Sequence, residues 1–374
     1  MKKVAILSVF IFFAVTTCFA GTKITASADS SAKSMIVIET SQNAIMYEHN
    51  AYQKLPMAST TKIMTAIVVL EYCRLSDIVK VDERAVGIEG SSIYLQKDEE
   101  LTVEQLLYGL MLQSGNDCAV ALAIHTAGSI EEFADMMNEK AGKIGATDSN
   151  FVNPNGLDHK DHYTTAYDLA IISSYGLKNE DFAKIVGTKV IEIPWMGRDY
   201  NRVVKNKNKI LSRFSGGTGV KTGFTKNAGR CLVSSAKRGD MELVCVVLNC
   251  GPMFEKSMEY LDMIFNKYHI QIFLEPYQYL GETKVLNGEY ESVGLYSRKE
   301  FKYPVKNGDG NFSAVIEIDK TIIAPVRNDM QAGKIKIYHG NDLIFSAKLY
   351  TINRVDGVTF SRYIQKVVKY WKII

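Results

Sequence analysis

Ser34-Met-Ile-Val-Ile-Glu39, Thr40-Ser-Gln-Asn43, Ala44-Ile-Met-Tyr-Glu48 and, after a short loop, Ser59-Thr-Thr-Lys62-Ile-Met-Thr-Ala66-Ile67 carry the change of period on which the fold class turns. The first three pieces read as two β-prone runs around a polar turn, an antiparallel hairpin. In the last piece Ile63, Ala66, Ile67 and Leu70 recur at helical spacing, so a helix is expected from about residue 60. Further along, Thr102-Val-Glu-Gln105 is a capping box opening an apolar helix to Leu112, and Asp117 begins another through Ala119, Leu122 and Ala123. Strand signals return at 218–222, 230–236 and 241–249, the last two joined by Lys-Arg-Gly-Asp240. A helix over about 253–268 then sets Phe254, Met258, Leu261, Phe265 and Tyr268 on one stripe. Early strands, central helices, late strands and a closing helix predict an α/β domain, a sheet covered by helices with a helical subdomain inserted.

After Pro276 the texture changes to short runs at 283–286, 313–318 and 334–339 between Gly, Asn and Asp turns, which predicts a separate small all-β domain. The first residues, Met1-Lys2-Lys3, an apolar run over 4–14 and small-residue sites at Ala20 and Ala28, have the order of a secretory signal peptide. The run is shorter than the roughly 20 residues a membrane span needs. At the other end Phe360, Tyr363, Ile364, Val367, Val368, Trp371 and Ile374 recur at helical spacing, with Arg362, Lys366, Lys369 and Lys372 mostly elsewhere around the helix. That pattern predicts an interfacial helix on a membrane surface; a helix docked on the β domain is the competing reading. The expected division is 1–28 signal peptide, 29–272 catalytic domain, 273–352 β domain and 353–374 amphipathic helix.

The formal charge of +3 comes from the two ends. Without the signal peptide the balance is 41 basic to 41 acidic side chains, and without the last 22 residues as well it is 36 to 40. A basic tail on a balanced body gives no support to nucleic-acid binding. Cys73, Cys118, Cys231, Cys245 and Cys250 remain after the signal, an odd number without paired spacing, so buried thiols are expected rather than a disulfide framework.

Ser59 and Lys62 stand one helical turn apart, so the amine can reach the hydroxyl. A lysine can accept a serine's proton only if burial or another cation lowers its pKa. Ser114-Gly-Asn116 lies at the joint between two central helices, where glycine permits a tight turn. Lys221-Thr222-Gly223 stands inside a strand pattern, where an interior glycine marks close approach of a ligand or another backbone. Each alone has an ordinary structural reading: chance, a helix connector, an edge strand with a solvent-facing lysine.

Taken together and in this order, the three sets are far more specific, and with them the sequence resembles the penicillin-binding proteins, closely the low-molecular-mass serine D-alanyl-D-alanine carboxypeptidases. The contexts match too: Pro56-Met-Ala-Ser-Thr-Thr-Lys-Ile-Met-Thr65, Leu112-Gln-Ser-Gly-Asn-Asp117, Asn153-Pro-Asn-Gly-Leu157, Thr165-Ala-Tyr-Asp-Leu169 and Gly219-Val-Lys-Thr-Gly-Phe-Thr225. The resemblance covers essentially the whole mature chain and implies a β-lactamase/transpeptidase-like catalytic domain. It further implies removal of the terminal D-alanine from peptidoglycan stem peptides and covalent binding of β-lactams. On this reading Ser59 is the nucleophile, Lys62 its base, Ser114 a proton relay and Asn116 an orienting group. Lys221 and Thr222 hold the substrate carboxylate, Gly223 keeps the strand open, and the N–H groups of Ser59 and Phe224 form the oxyanion hole. Asn155 departs from the family, where many members carry His, which leaves the role of that loop open. No cofactor or metal is expected; His159-Lys-Asp-His162 is loop-like and lacks a third ligand. Asp168 is expected to cap or orient its loop. A β-lactamase would need a deacylating glutamate, and none occurs between Glu139 and Glu180. A transpeptidase or an endopeptidase on the same site also fits the motif set; an inactive wall-binding scaffold is the alternative from another class, and the presence of every motif residue argues against it. The place implied is the periplasm or cell-wall space, with the exported protein peripheral on the outer face of the cytoplasmic membrane.

Overall fold

The computed structural model describes residues 31–360, together with 364 and 368. The expected signal peptide and most of the expected terminal helix lie outside the described residues. The chain divides into two compact units, which meet in sequence at residues 269 and 270.

In the first unit β1 (Ala32–Glu39) and β2 (Ala44–His49) form the hairpin, Val37 facing Tyr47 and Glu39 facing Ala44. A 3-10 turn (Ala58–Thr61) leads into α1 (Lys62–Tyr72). A small hairpin follows, β3 (Ile78–Lys80) with β4 (Glu100–Thr102). The Thr102–Gln105 capping box is formed in both directions and opens α2 (Val103–Tyr108). Helical periodicity continues to Leu112, but the helix changes its winding: Gly109–Gln113 is a π turn ending at Ser114 in the left-handed conformation (φ 68°). Then come α3 (Asn116–Ala127), α4 (Ile130–Ile144), α5 (Ala166–Leu177) and α6 (Glu180–Gly187). The hairpin β5 (Val190–Ile193) and β6 (Arg202–Lys205) precedes the short α7 (Ile210–Arg213).

The late strands β7 (Gly217–Thr225), β8 (Gly229–Arg238) and β9 (Met241–Cys250) join the hairpin in an antiparallel sheet of order β2-β1-β9-β8-β7, and α8 (Met253–Lys267) closes the unit. The inner strands read as continuous apolar runs because both faces are covered. Val244 and Val246 of β9 pack in one core with Ile63 and Ile67 of α1. Cys245, between them, faces the other way and lies 3.7 Å from Ser257 of α8. β7 closes one side of the sheet with no strand partner beyond it among the described residues, so its outer edge has backbone groups to offer a ligand.

The second unit carries β10 (Tyr268–Leu274), β11 (Tyr279–Leu286), β12 (Ser292–Ser297), β13 (Phe301–Lys306), β14 (Phe312–Ile318), β15 (Thr321–Ile323), β16 (Gln331–His339) and β17 (Asp342–Thr351). Six of them form a sheet of order β14-β16-β17-β12-β11-β15, while β10 pairs with β13. Leu295, Phe301, Ile335, Ile337 and Leu349 fill one core, and Val285, Val293, Val326 and Val355 a second.

Candidate active site

The site forms where the N-terminal end of α1, the π turn before α3, the loop before α5 and the open edge strand β7 converge. Lys62 is completely buried, although it is the first residue of α1. Its Nζ lies 3.0 Å from Ser59 Oγ and donates to Asn116 Oδ1 at 2.6 Å and, in a short bond, to the Asn155 carbonyl. Two N–H groups are thus placed on two carbonyl oxygens with the Ser59 hydroxyl as the third neighbour, and no carboxylate is among the bonded groups. Burial first, and then the charge of Lys221, hold Lys62 well below the ordinary lysine range. A neutral amine beside a serine hydroxyl is the arrangement that lets the serine lose its proton.

Ser114 and Asn116 reach the site because the π turn breaks the helix there. Gly115 N–H closes on Gly109 O at 3.0 Å, and Asn116 restarts a helix from the opposite side of the joint. The Asn116 amide donates to Glu89 O at 2.6 Å, which fixes its oxygen toward Lys62. Asp117 anchors the neighbouring loop through the N–H groups of Ile93 and Leu95 and the hydroxyl of Ser92.

Lys221, on β7, is also buried, against the reading of a strand lysine facing water. It donates to Ser114 Oγ at 3.0 Å and to Thr222 O at 2.9 Å. Burial pushes it down to about 7, with the charge of Lys207 adding to the effect. Lys221, at about 7, can still carry charge near neutrality. Gly223 lies against the nucleophile turn: a Cβ there would sit 3.1 Å from Met57 O and from the Ser59 and Thr60 nitrogens. Phe224, next along, is exposed.

The loop whose role the Asn155 departure left open contributes main chain. The Asn155 carbonyl takes the Lys62 bond, while its side chain accepts from Leu157 N–H at 3.1 Å. A backbone acceptor tolerates a change of side chain, so Asn in place of His leaves this contact available. Gly156, at φ 87°, abuts the carbonyl of Ala58, and Thr65 Oγ1 donates to Pro154 O at 2.6 Å. Asp168 accepts from Asp148 N–H and Ser149 Oγ and so orients the start of this loop. Residues the sequence did not point to also belong here: Ala58, in a left-handed conformation at φ 49°, and Thr61 with His162. Among the described residues no group of His, Cys, Asp or Glu has the arrangement of a metal site, and Cys118, Cys231, Cys245 and Cys250 are buried free thiols.

Compared with known proteins, residues 21–251 match the family model described as D-alanyl-D-alanine carboxypeptidase, and residues 273–356 the one described as penicillin-binding protein 5, C-terminal domain. The D-alanyl-D-alanine carboxypeptidase DacF of Bacillus subtilis is 30% identical over 357 residues, 91% of this chain and 90% of that protein. Among solved structures, penicillin-binding protein 5 of Haemophilus influenzae superposes with a TM-score of 0.75 at 28% identity, covering 87% of this chain and 98% of its own. A mutant of a Streptomyces DD-transpeptidase superposes with a TM-score of 0.60 at 31% identity, covering 63% of this chain and 98% of its own.

Proposed function

This chain belongs to the D-alanyl-D-alanine carboxypeptidase family, and from that premise we propose how its residues release the terminal D-alanine of a peptidoglycan stem peptide. It is a serine-type D-alanyl-D-alanine carboxypeptidase that acts on the cell wall and binds penicillin. The substrate lies along the open edge of β7, with its terminal carboxylate at Lys221 and Thr222. Ser59 attacks the carbonyl between the last two D-alanines, and neutral Lys62 takes its proton. The N–H groups of Ser59 and Phe224 receive the developing oxyanion, where one donor is typically worth about a hundredfold or more in rate. Ser114, bonded to Lys221, relays to the leaving amine the proton that Lys62 took from Ser59, and water then attacks the acyl-enzyme, giving a proton to the again neutral Lys62, which returns it to Ser59. The observation that carries this reading is the placement of a buried lysine, held well below the ordinary lysine range, 3.0 Å from Ser59 Oγ with no carboxylate bonded to it. Incubation with a defined pentapeptide, followed by mass spectrometry, should give the tetrapeptide and free D-alanine. A joined peptide instead would make the transpeptidase reading the right one, the activity named for the Streptomyces neighbour.

We also propose that residues 1–28 direct export and that the tail holds the enzyme peripherally on the outer face of the membrane. Phe360, Ile364 and Val368 are helical and exposed at intervals of four, which suits an apolar stripe. No helix of the described residues is long and apolar enough to cross a membrane. Deleting residues 360–374, which spares Val355 in the core of the β domain, should release active enzyme from anionic vesicles, and salt should weaken binding of the full-length protein without abolishing it. An intact enzyme that ignores vesicles, or a truncated one that unfolds, would make the tail a structural element.

A further inference from the structure

His162 is buried beside the nucleophile turn, and the reaction as described makes no use of it. Its surroundings fix the direction of every hydrogen bond it makes. Val152 N–H can only donate, and it lies 3.1 Å from His162 Nδ1, so Nδ1 is the acceptor. Burial pushes the ring down to about 4, so it is neutral and its single proton sits on Nε2. That nitrogen is 2.7 Å from Thr61 Oγ1, which therefore accepts, and the Thr61 hydroxyl spends its own proton on the Ala58 carbonyl at 2.8 Å. The chain runs one way: Val152 N–H to His162, His162 to Thr61, Thr61 to Ala58 O.

Ala58 O belongs to the same planar peptide unit as Ser59 N–H, and the two point in opposite directions. Whatever holds the carbonyl also aims the N–H. A donor on the carbonyl oxygen further draws electron density from the nitrogen, making its N–H a stronger donor, and a relay of two bonds does so more than one. The peptide needs holding, because Ala58 is left-handed at φ 49°, a conformation that costs a residue with a Cβ about 1–2 kcal/mol.

We propose that His162 and Thr61 are positioning residues that aim and polarise the Ser59 N–H as an oxyanion-hole donor. The inference rests on the Ser59 acyl-enzyme reading and adds to it a role for two side chains that never touch substrate. It separates the two ends of the imidazole: asparagine at 162 can replace only Nδ1, which holds the loop, whereas glutamine can place an N–H at the Nε2 position, which serves Thr61.

The test uses the whole enzyme with benzylpenicillin, reading the acylation rate constant, the non-covalent dissociation constant, the melting temperature and the infrared stretch of the acyl-enzyme ester carbonyl. Thr61→Val and His162→Asn should acylate at least about tenfold more slowly, with little change in dissociation constant. In both, the ester carbonyl should absorb at higher frequency, because its oxygen is held less strongly. Thr61→Ser and His162→Gln should recover most of the lost rate and the parental frequency. Equal behaviour of the Gln and Asn variants, of Ser and Val, or an unmoved carbonyl frequency in slow variants, would reduce the pair to loop packing. Should Thr61→Val fail to fold, the two His162 variants decide. Ser59→Ala, run alongside, separates the failures: labelling that persists there defeats the nucleophile assignment. An unlabelled Ser59→Ala with fully active Thr61→Val and His162→Asn defeats only this inference.

Discussion

Replacing Gly156 by alanine should disable the enzyme through a group that takes no part in the chemistry. The added Cβ would stand 2.0 Å from Ala58 O and 2.5 Å from Ala58 C, both main-chain atoms that no rotamer change can move. Carbon and oxygen in contact keep about 3.2 Å or more, so the loop or the nucleophile turn must move by more than about 1 Å. Gly156 is also left-handed at φ 87°, which costs alanine about 1–2 kcal/mol. Overpacking adds about 1–3 kcal/mol, for a total loss of roughly 2–5 kcal/mol. If the Ser59 peptide yields instead of the loop, a displacement of about 1 Å is enough to slow acylation about a hundredfold. Circular dichroism melting and a fluorescent-penicillin time course, run well below the melting temperature, measure the two effects together. A folded Gly156→Ala that acylates within about twofold of the parent would refute the claim that this loop presses on the nucleophile turn.

Three further outcomes follow from buried charge. Lys221 must be protonated to hold the substrate carboxylate, so kcat/KM should fall as pH rises through about 7. Stability should move the other way: the folded state gives up the Lys221 proton near 7 and the unfolded chain near 10.5, so folding binds fewer protons in between. The stability difference between parent and Lys221→Met should therefore shift in the parent's favour from about pH 7 to pH 10.5, and parallel melting curves would contradict it. Glu99 and Arg202 form a buried two-pronged pair at 2.6 and 2.8 Å, with Arg202 also reaching Tyr94 O and lying over the Trp195 ring. Glu99→Gln should cost about 3–5 kcal/mol in urea unfolding, since it strands a buried guanidinium, and a loss under about 1 kcal/mol would show the pair to be dispensable.

What the sequence made legible is what side-chain type and period encode. The hairpin, the Thr102–Gln105 capping box and the three late strands each carry a local rule, and β1, β2, α2 and β7 to β9 form where those rules put them. Ser59, Lys62, Ser114, Asn116 and Lys221 drew attention as a set, and the fold brings them to one place. The parts that escaped are of other kinds. The π turn at Gly109–Gln113 keeps a helical period to Leu112, so the apolar pattern does not register the change of winding that frees Ser114. The Asn155 contact is made by a carbonyl, which every residue has. The left-handed Ala58 violates local preference, as strained positions beside reactive groups often do, and it is held by partners up to about a hundred residues away. His162 looked like loop composition because nothing near it in sequence says that Thr61 lies across from it. Nothing in the sequence pairs Glu99 with Arg202, 103 residues away, until the fold closes over both.

The measurement that bears most directly on the account is the intact mass of the enzyme after brief exposure to benzylpenicillin, followed by proteolysis to locate the adduct. One penicilloyl group should appear, on the peptide containing Ser59, and it should be absent from Ser59→Ala. An adduct carried by Ser114 or another residue, or one that survives in Ser59→Ala, would contradict the central assignment.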